Sequence, residues 1–318
     1  MNIFHSLVGI MAVLFLLLAT GFVSRKVGLL NDTVSKNLSK LIICLGQPAL
    51  IVSALNNAEW SEERVKIAIW ATVIGFAMHT FMGAAAFLIC RGMKNADHAK
   101  IFEFGLVVAN CGFLGFPVLD SVFGEGLGSF MGAFYVISFH LYLWTWGISI
   151  LARGRDDIKL TPKKAILNYG TIPCLVGIGL YLLKAIPGYA LPDPITKTLT
   201  YLGGLCTPIS LLITGGLLAT IPLKKLFGTP SLYAHSAVSL FVFPMVVCVI
   251  AKLLRLPDLY ILFCTVMAGL PAASTVTMLC EIHNIDPPYA SQTVGITSLL
   301  TTVTLPVVWL FANWIVGL

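Results

Sequence analysis

The chain has 318 residues, of which 58% are hydrophobic and 11% charged, with a formal net charge of +6. A soluble domain carries about 45–50% apolar and about 25% charged residues, so this chain lacks the polar surface a soluble fold of its length needs. Its eight cysteines stand singly, and no CxxC or Cys/His cluster appears. A disulfide framework, a metal site and a cofactor are therefore not expected.

A membrane-crossing helix needs roughly 20 mostly apolar residues. Ten such stretches follow one another: 5–23, 38–56, 65–90, 101–123, 127–152, 166–186, 195–220, 232–254, 259–281 and 290–316. No Lys or Arg precedes the first, and no small-residue cleavage site follows it. It reads as a retained span rather than a signal peptide. The second contains LIICLGQPALI (41–51), the fourth VVANCGFLGFPVLD (107–120), the seventh YLGGLCTPISL (201–211) and the ninth MAGLPAASTVTML (267–279).

Fourteen of the twenty Lys and Arg fall in or beside the odd-numbered loops. They are Arg25, Lys26, Lys36, Lys40, Arg91, Lys94, Lys100, Arg153, Arg155, Lys159, Lys163, Lys164, Lys224 and Lys225. Basic residues favour cytoplasmic loops, so the positive balance reflects topology rather than nucleic-acid binding. Both termini are then expected outside.

Five spans followed by five more place the second half in the opposite orientation, the arrangement of an inverted repeat. Two pieces of punctuation match between the halves. Leu-x-x-Pro lies in mid-span at Pro48 and at Pro208, and GFP (115–117) in the fourth span matches GLP (269–271) in the ninth. Proline removes an amide donor and crowds the carbonyl four residues back. Broken backbone at membrane depth survives only where it is buried in protein or lines a cavity. Matched breaks therefore predict a site between the repeats, with half-helix N-termini that attract anions.

The candidate substrate residues are those around the breaks. Asn110 offers a donor and an acceptor, with Gly112, Gly115 and Pro117 close behind. Gly269 and Pro271 precede Ser274 and Thr275, while Gln47, Thr207 and Ser210 flank the other two prolines. No Lys or Arg lies in mid-span, so amides and hydroxyls must hold an anion. His79 and His140 lie deep in the third and fifth spans. Either is a possible proton-coupling group; a neutral, hydrogen-bonded core histidine is the simpler reading of each. Glu103, Glu281 and Asp120 read as solvated carboxylates near span ends, and Asp156-Asp157 as part of a solvated loop.

NCGFLGFPV (110–118), the mid-span prolines and the GLP break before Ser274 and Thr275 resemble the auxin efflux carrier family. That family includes plant auxin carriers and bacterial carriers of malonate, malate and related acids. The resemblance covers essentially the whole chain. It implies an all-α membrane protein of ten transmembrane helices, built as two inverted five-helix repeats (1–155 and 156–318) with broken, crossing helices four and nine. It also implies a scaffold of spans 1, 2, 6 and 7, an elevator-like transport domain of spans 3–5 and 8–10, and a homodimer. By match to the motif it places Asn110, Gly112, Gly115, Pro117, Gly269 and Pro271 at the substrate, and Phe113 within the same stretch is a further candidate. The long cytoplasmic loop of the plant carriers is missing, since the fifth loop runs only from about Arg153 to Ala165. That favours a compact, bacterial-type carrier.

The expected function is secondary transport of a small organic anion across the cell membrane. The alternatives are a sodium-coupled symporter like the bile-acid carriers and a membrane sensor on a transporter fold. No HExxH, GxSxG or paired DDxxD motif suggests an enzyme.

Overall fold

The computed structural model describes residues 3–124, 126–158, 167–222 and 229–317. Lys159, Lys163, Lys164, Lys224 and Lys225, which contribute to the orientation argument, lie outside them. The described residues form helices, and their one β-type pairing is an isolated bridge. Seven helices are long and apolar enough to cross a membrane: α1 (Ile3–Lys26), α2 (Asp32–Asn57), α3 (Glu62–Cys90), α6 (Leu127–Ala152), α8 (Asp193–Thr220), α9 (Pro230–Leu253) and α12 (Pro287–Val316).

The remaining helices are shorter. The fourth predicted span is two half-helices, α4 (Ala96–Val107) and α5 (Gly115–Phe123). The ninth is likewise α10 (Asp258–Ala268) and α11 (Ser274–Ile282). The sixth appears as α7 (Thr171–Leu183), with part of the preceding loop outside the described residues. Helix starts follow local chemistry. Asn31, Ser61, Asn95 and Asp286 each accept a hydrogen bond from an amide in the first turn of the helix they open, the side-chain capping that Ser, Asn and Asp provide.

The prolines bend helices without ending them. Pro48 and Pro244 leave the carbonyls of Cys44 and Leu240 without a helical donor. Each of those residues lies in a widened, π-type turn, Ile42–Gly46 in α2 and Val238–Val242 in α9. In α8, Pro208 sits just past a break at Leu205. The irregular stretches of α2 and α8 pack against each other across small residues. A side chain at Gly46 would meet Cys206 Sγ at 2.9 Å, and one at Gly203 would meet the Leu50 backbone at 2.8 Å. The α1–α8 contact is closer still, since a Cβ at Gly215 would fall 1.9 Å from the Leu18 carbonyl oxygen. Lipid tails are as apolar as leucine, so close backbone approach through small residues, rather than hydrophobic exclusion, holds such helices together.

Two sequence readings change here. The fourth span breaks over 108–114, ahead of GFP, and Gly115–Pro117 form the first turn of α5. Proline is tolerated there because the first amides of a helix have no helical acceptor. GLP, in contrast, lies within the second break itself, so the two motifs are not equivalent positions. Glu103 is not solvated. It is 1% exposed and held by both Nη atoms of Arg153, one of them at 2.8 Å from Oε1.

Candidate functional site: the helix crossover and its cavities

The two breaks meet. The Asn110 amide donates to the Pro271 carbonyl at 2.7 Å, and the Ala273 amide donates to the Val108 carbonyl at 2.9 Å. Ala109 and Ala272 thereby form an antiparallel bridge, with every residue from 261 to 273 buried. Each break supplies the donor and acceptor the other lacks, which satisfies backbone that hydrocarbon would leave unpaired. The ends of the breaks are tied locally. The Gly115 amide donates to the Asn110 carbonyl at 3.1 Å, and the Asn110 side-chain oxygen accepts from the Phe113 amide at 3.3 Å. Asn110 thus shapes the turn through three of its groups.

Ser274 opens α11, whose first turn has no side-chain cap. The N-termini of α5 and α11 therefore end at the crossover, where their dipoles favour negative charge. A second crossing, that of α2 and α8, lies against the first. Phe113 packs between Ile42 and Cys206, and its carbonyl accepts from Thr207 Oγ1 at 2.6 Å. Thr214 Oγ1 lies 3.5 Å from Ser274 Oγ.

Between α2 and α11, beside the crossover, lie two cavities of about 30 Å³ each. The first has Ser39, Ser210, Ser274 and Thr275 as polar lining, with Phe113, Ile42, Ile43, Ile213 and Met278 as apolar lining. The second is lined by Gln47, His140, Tyr169, Gly170 and again Thr275 and Met278. Gln47 Nε2 lies 3.2 Å from His140 Nε2. The hydroxyls of Ser210, Thr275 and Thr277 are buried with no hydrogen-bond partner among the described residues. A buried polar group without a partner costs about 1–3 kcal/mol, and two of these, Ser210 and Thr275, line the cavities, which invites a ligand. Each cavity has room for roughly one or two water molecules, too little for an organic acid.

The structure brings most of the sequence candidates together. Asn110, Gly112, Phe113, Gln47, Thr207, Ser210, Pro271, Ser274 and Thr275 lie at the crossover or the cavities beside it. Gly115 faces Leu270, where a Cβ would come within 3.1 Å, and Gly269 faces Leu305 at 3.0 Å. Both glycines serve close packing behind the bridge, and Pro117 shapes the start of α5. His79 stands apart. Its Nδ1 lies 2.7 Å from the Gly75 carbonyl and 3.2 Å from Ser138 Oγ, beside the Tyr135 and Tyr142 rings. Asp120 accepts from the Ser129 amide at 2.7 Å and tethers α5 to α6. In the fifth loop, Arg155 bonds Asp157 at 2.8 Å and holds its carboxyl down at about 2.

The sequence reading missed His235 on α9. It is fully buried and edge-on to Phe102, and a Cβ at Gly105 would lie 2.8 Å from its Nε2. A third histidine inside an apolar run was the available signal. Also missed was Gly170, which leaves room for the His140 ring; a Cβ there would fall 2.1 Å from Nδ1.

Residues 6–309 match the family model described as Membrane transport protein. The chain belongs to that family. The resemblance to auxin efflux carriers drawn from NCGFLGFPV is thereby borne out for nearly the whole length. An uncharacterised transporter of Methanothermobacter thermautotrophicus is 26% identical over 305 residues, covering 93% of this chain and 95% of that one. An uncharacterised transporter of Methanocaldococcus jannaschii is 25% identical over 317 residues, covering 96% and 97%. The family and the run of apolar helices make this a multi-pass membrane transport protein.

Proposed function

We propose that the protein is a secondary carrier of a small organic anion, a mono- or dicarboxylate, bound between the helix crossover and α2–α8. The observation that carries this reading is the reciprocal Asn110–Pro271 and Ala273–Val108 pairing. It sets two half-helix N-termini beside cavities lined by unpartnered hydroxyls, with no Lys or Arg among the buried described residues. Such a site holds a carboxylate through amides, hydroxyls and helix dipoles.

In this reading the seven long helices, α7 and the two broken spans make ten crossings in two inverted repeats, with both termini outside. Helices α1, α2, α7 and α8 form a scaffold, and the remainder moves against it as an elevator. The Thr207–Phe113, Thr214–Ser274 and Gln47–His140 contacts are then the polar links that exchange during the movement. The scaffold also pairs two copies as a homodimer in the cell membrane. The closed cavities fit a resting form that opens to admit its ligand.

A thermal-shift screen of the purified protein with acetate, benzoate, malonate and malate, with and without sodium, tests the reading. A ligand that binds the folded form raises its melting temperature. At least one acid is expected to do so in a saturable manner. Stabilisation by none of the four would refute the anion site, and stabilisation only in sodium would favour ion-coupled binding at the Ser274–Thr277 hydroxyls.

A further inference from the structure

The site proposed above takes a negative ligand yet holds no fixed cation. A carboxylate moved to membrane depth without a counter-charge is expensive, and the helix dipoles offset only part of that. Resting on the anion reading, we propose that His140 takes up one proton together with the anion, so that a monocarboxylate crosses the membrane as a neutral pair and a dicarboxylate crosses with one of its two charges balanced.

Three histidines are the buried basic side chains among the described residues: His79, His140 and His235. His79 is tied to Gly75 and Ser138 within α3 and α6. His235 lies against Phe102 and Gly105, and neither of these histidines lines a cavity at the crossover. His140 does line one. That cavity shares Ile43, Thr275 and Met278 with its neighbour, so these side chains form the wall between the imidazole and the proposed anion position. His140 faces Gln47 from α2, Tyr169 and Gly170 from the segment before α7, and Thr275 from α11. Tyr169 is the one other titratable side chain lining this cavity, and no Asp, Glu, Lys or Arg lines it. Lys40, about two turns into α2, and Glu281, in the last turn of α11, are exposed.

The Gln47 contact couples the proton to movement. Its side-chain amide nitrogen donates, so the Nε2 of a neutral His140 accepts. The ring proton then sits on Nδ1, on the side of the ring next to Gly170. A second proton placed on Nε2 turns that atom into a donor, and a donor amide no longer suits it. Either the amide turns its oxygen inward or the contact breaks. In both cases a link between α2 and α6, across the proposed boundary of scaffold and moving domain, is remade when the proton arrives. The proton goes from solvent on one side to Nε2, stays while the anion is bound, and leaves with it on the other side.

The test is calorimetric titration of the purified protein with whichever of acetate, benzoate, malonate or malate binds most tightly. Buffers of different ionisation enthalpy report the protons taken up. Wild type is expected to bind about one proton per anion, with affinity falling about tenfold per pH unit above the titration of the free site. His140→Gln is expected to bind without proton uptake and with affinity nearly independent of pH, while His79→Gln keeps the uptake. No uptake in wild type would overturn the proposal and leave the anion site standing. Uptake that persists in His140→Gln would overturn it too, because the proton then rides on the acid or on another group. Should His140→Gln fail to fold, His140→Asn replaces it. If none of the acids binds wild type, the anion reading falls and this proposal falls with it.

Discussion

Asn110 ties the crossover together through its main chain and its side chain. Its main chain joins the two breaks and its side chain closes the turn on Phe113. Replacement by Ala keeps the bridge and removes only the side-chain acceptor, at about 1 kcal/mol for a lost neutral hydrogen bond. Asn110→Ala is therefore expected to fold and insert, with a small fall in melting temperature, and to lose at least about tenfold in transport; a tenfold change corresponds to about 1.4 kcal/mol. Wild-type transport by this variant would remove Asn110 from the site. Thr207 gives a prediction of opposite sign. Its hydroxyl donates to the Phe113 carbonyl, a bond that belongs to the closed form in the proposed cycle. Thr207→Val leaves that carbonyl short of a donor and destabilises the closed form by about 1–3 kcal/mol. The competent population then rises, and the apparent Kd is expected to fall by about fivefold to a hundredfold. A weaker Kd in a binding titration would mean that Thr207 touches the ligand instead.

At the scale of elements, proline and glycine account for most of what was legible in the sequence. Pro48, Pro208 and Pro271 each mark an irregular stretch of helix that the fold uses, because a missing amide has the same consequence wherever it falls. Pro117 misled, because the same missing amide is harmless in the first turn of α5. Only the position of the break, set by the pairing of Ala109 with Ala272, distinguishes the two cases, and pairing across 163 residues leaves no local trace. Glu103 misled for a similar reason, since its partner Arg153 lies 50 residues away. The glycine contacts carry a prediction of their own. Gly215→Ala pushes a methyl group onto the Leu18 carbonyl. It is expected to separate α1 from α8 at about 1–3 kcal/mol, seen as a lower melting temperature in detergent. Retention of the wild-type melting temperature would show that the two helices part without penalty.

For the molecule as a whole, the length and hydropathy of the apolar runs gave the all-helical class and the seven long apolar helices, while the crossover depended on contacts between distant parts of the chain. The orientation still rests on the loop charges. With fourteen of twenty basic residues in or beside the odd loops, impermeant thiol reagents are expected to label single cysteines introduced at the N-terminus and at Gly317 from outside intact cells, and one at Asp156 only after lysis. Labelling of Asp156→Cys in intact cells would invert the topology.

The central claim is that the crossover is a transport site for an organic anion. It is tested most directly by uptake of radiolabelled malonate, malate and benzoate into proteoliposomes containing wild type, Asn110→Ala or Pro271→Ala. Pro271→Ala restores an amide that favours continuing α10 through the break. Saturable uptake of at least one acid by wild type, lost in both variants while they remain folded, is the predicted result. Equal uptake by all three proteins would contradict the account.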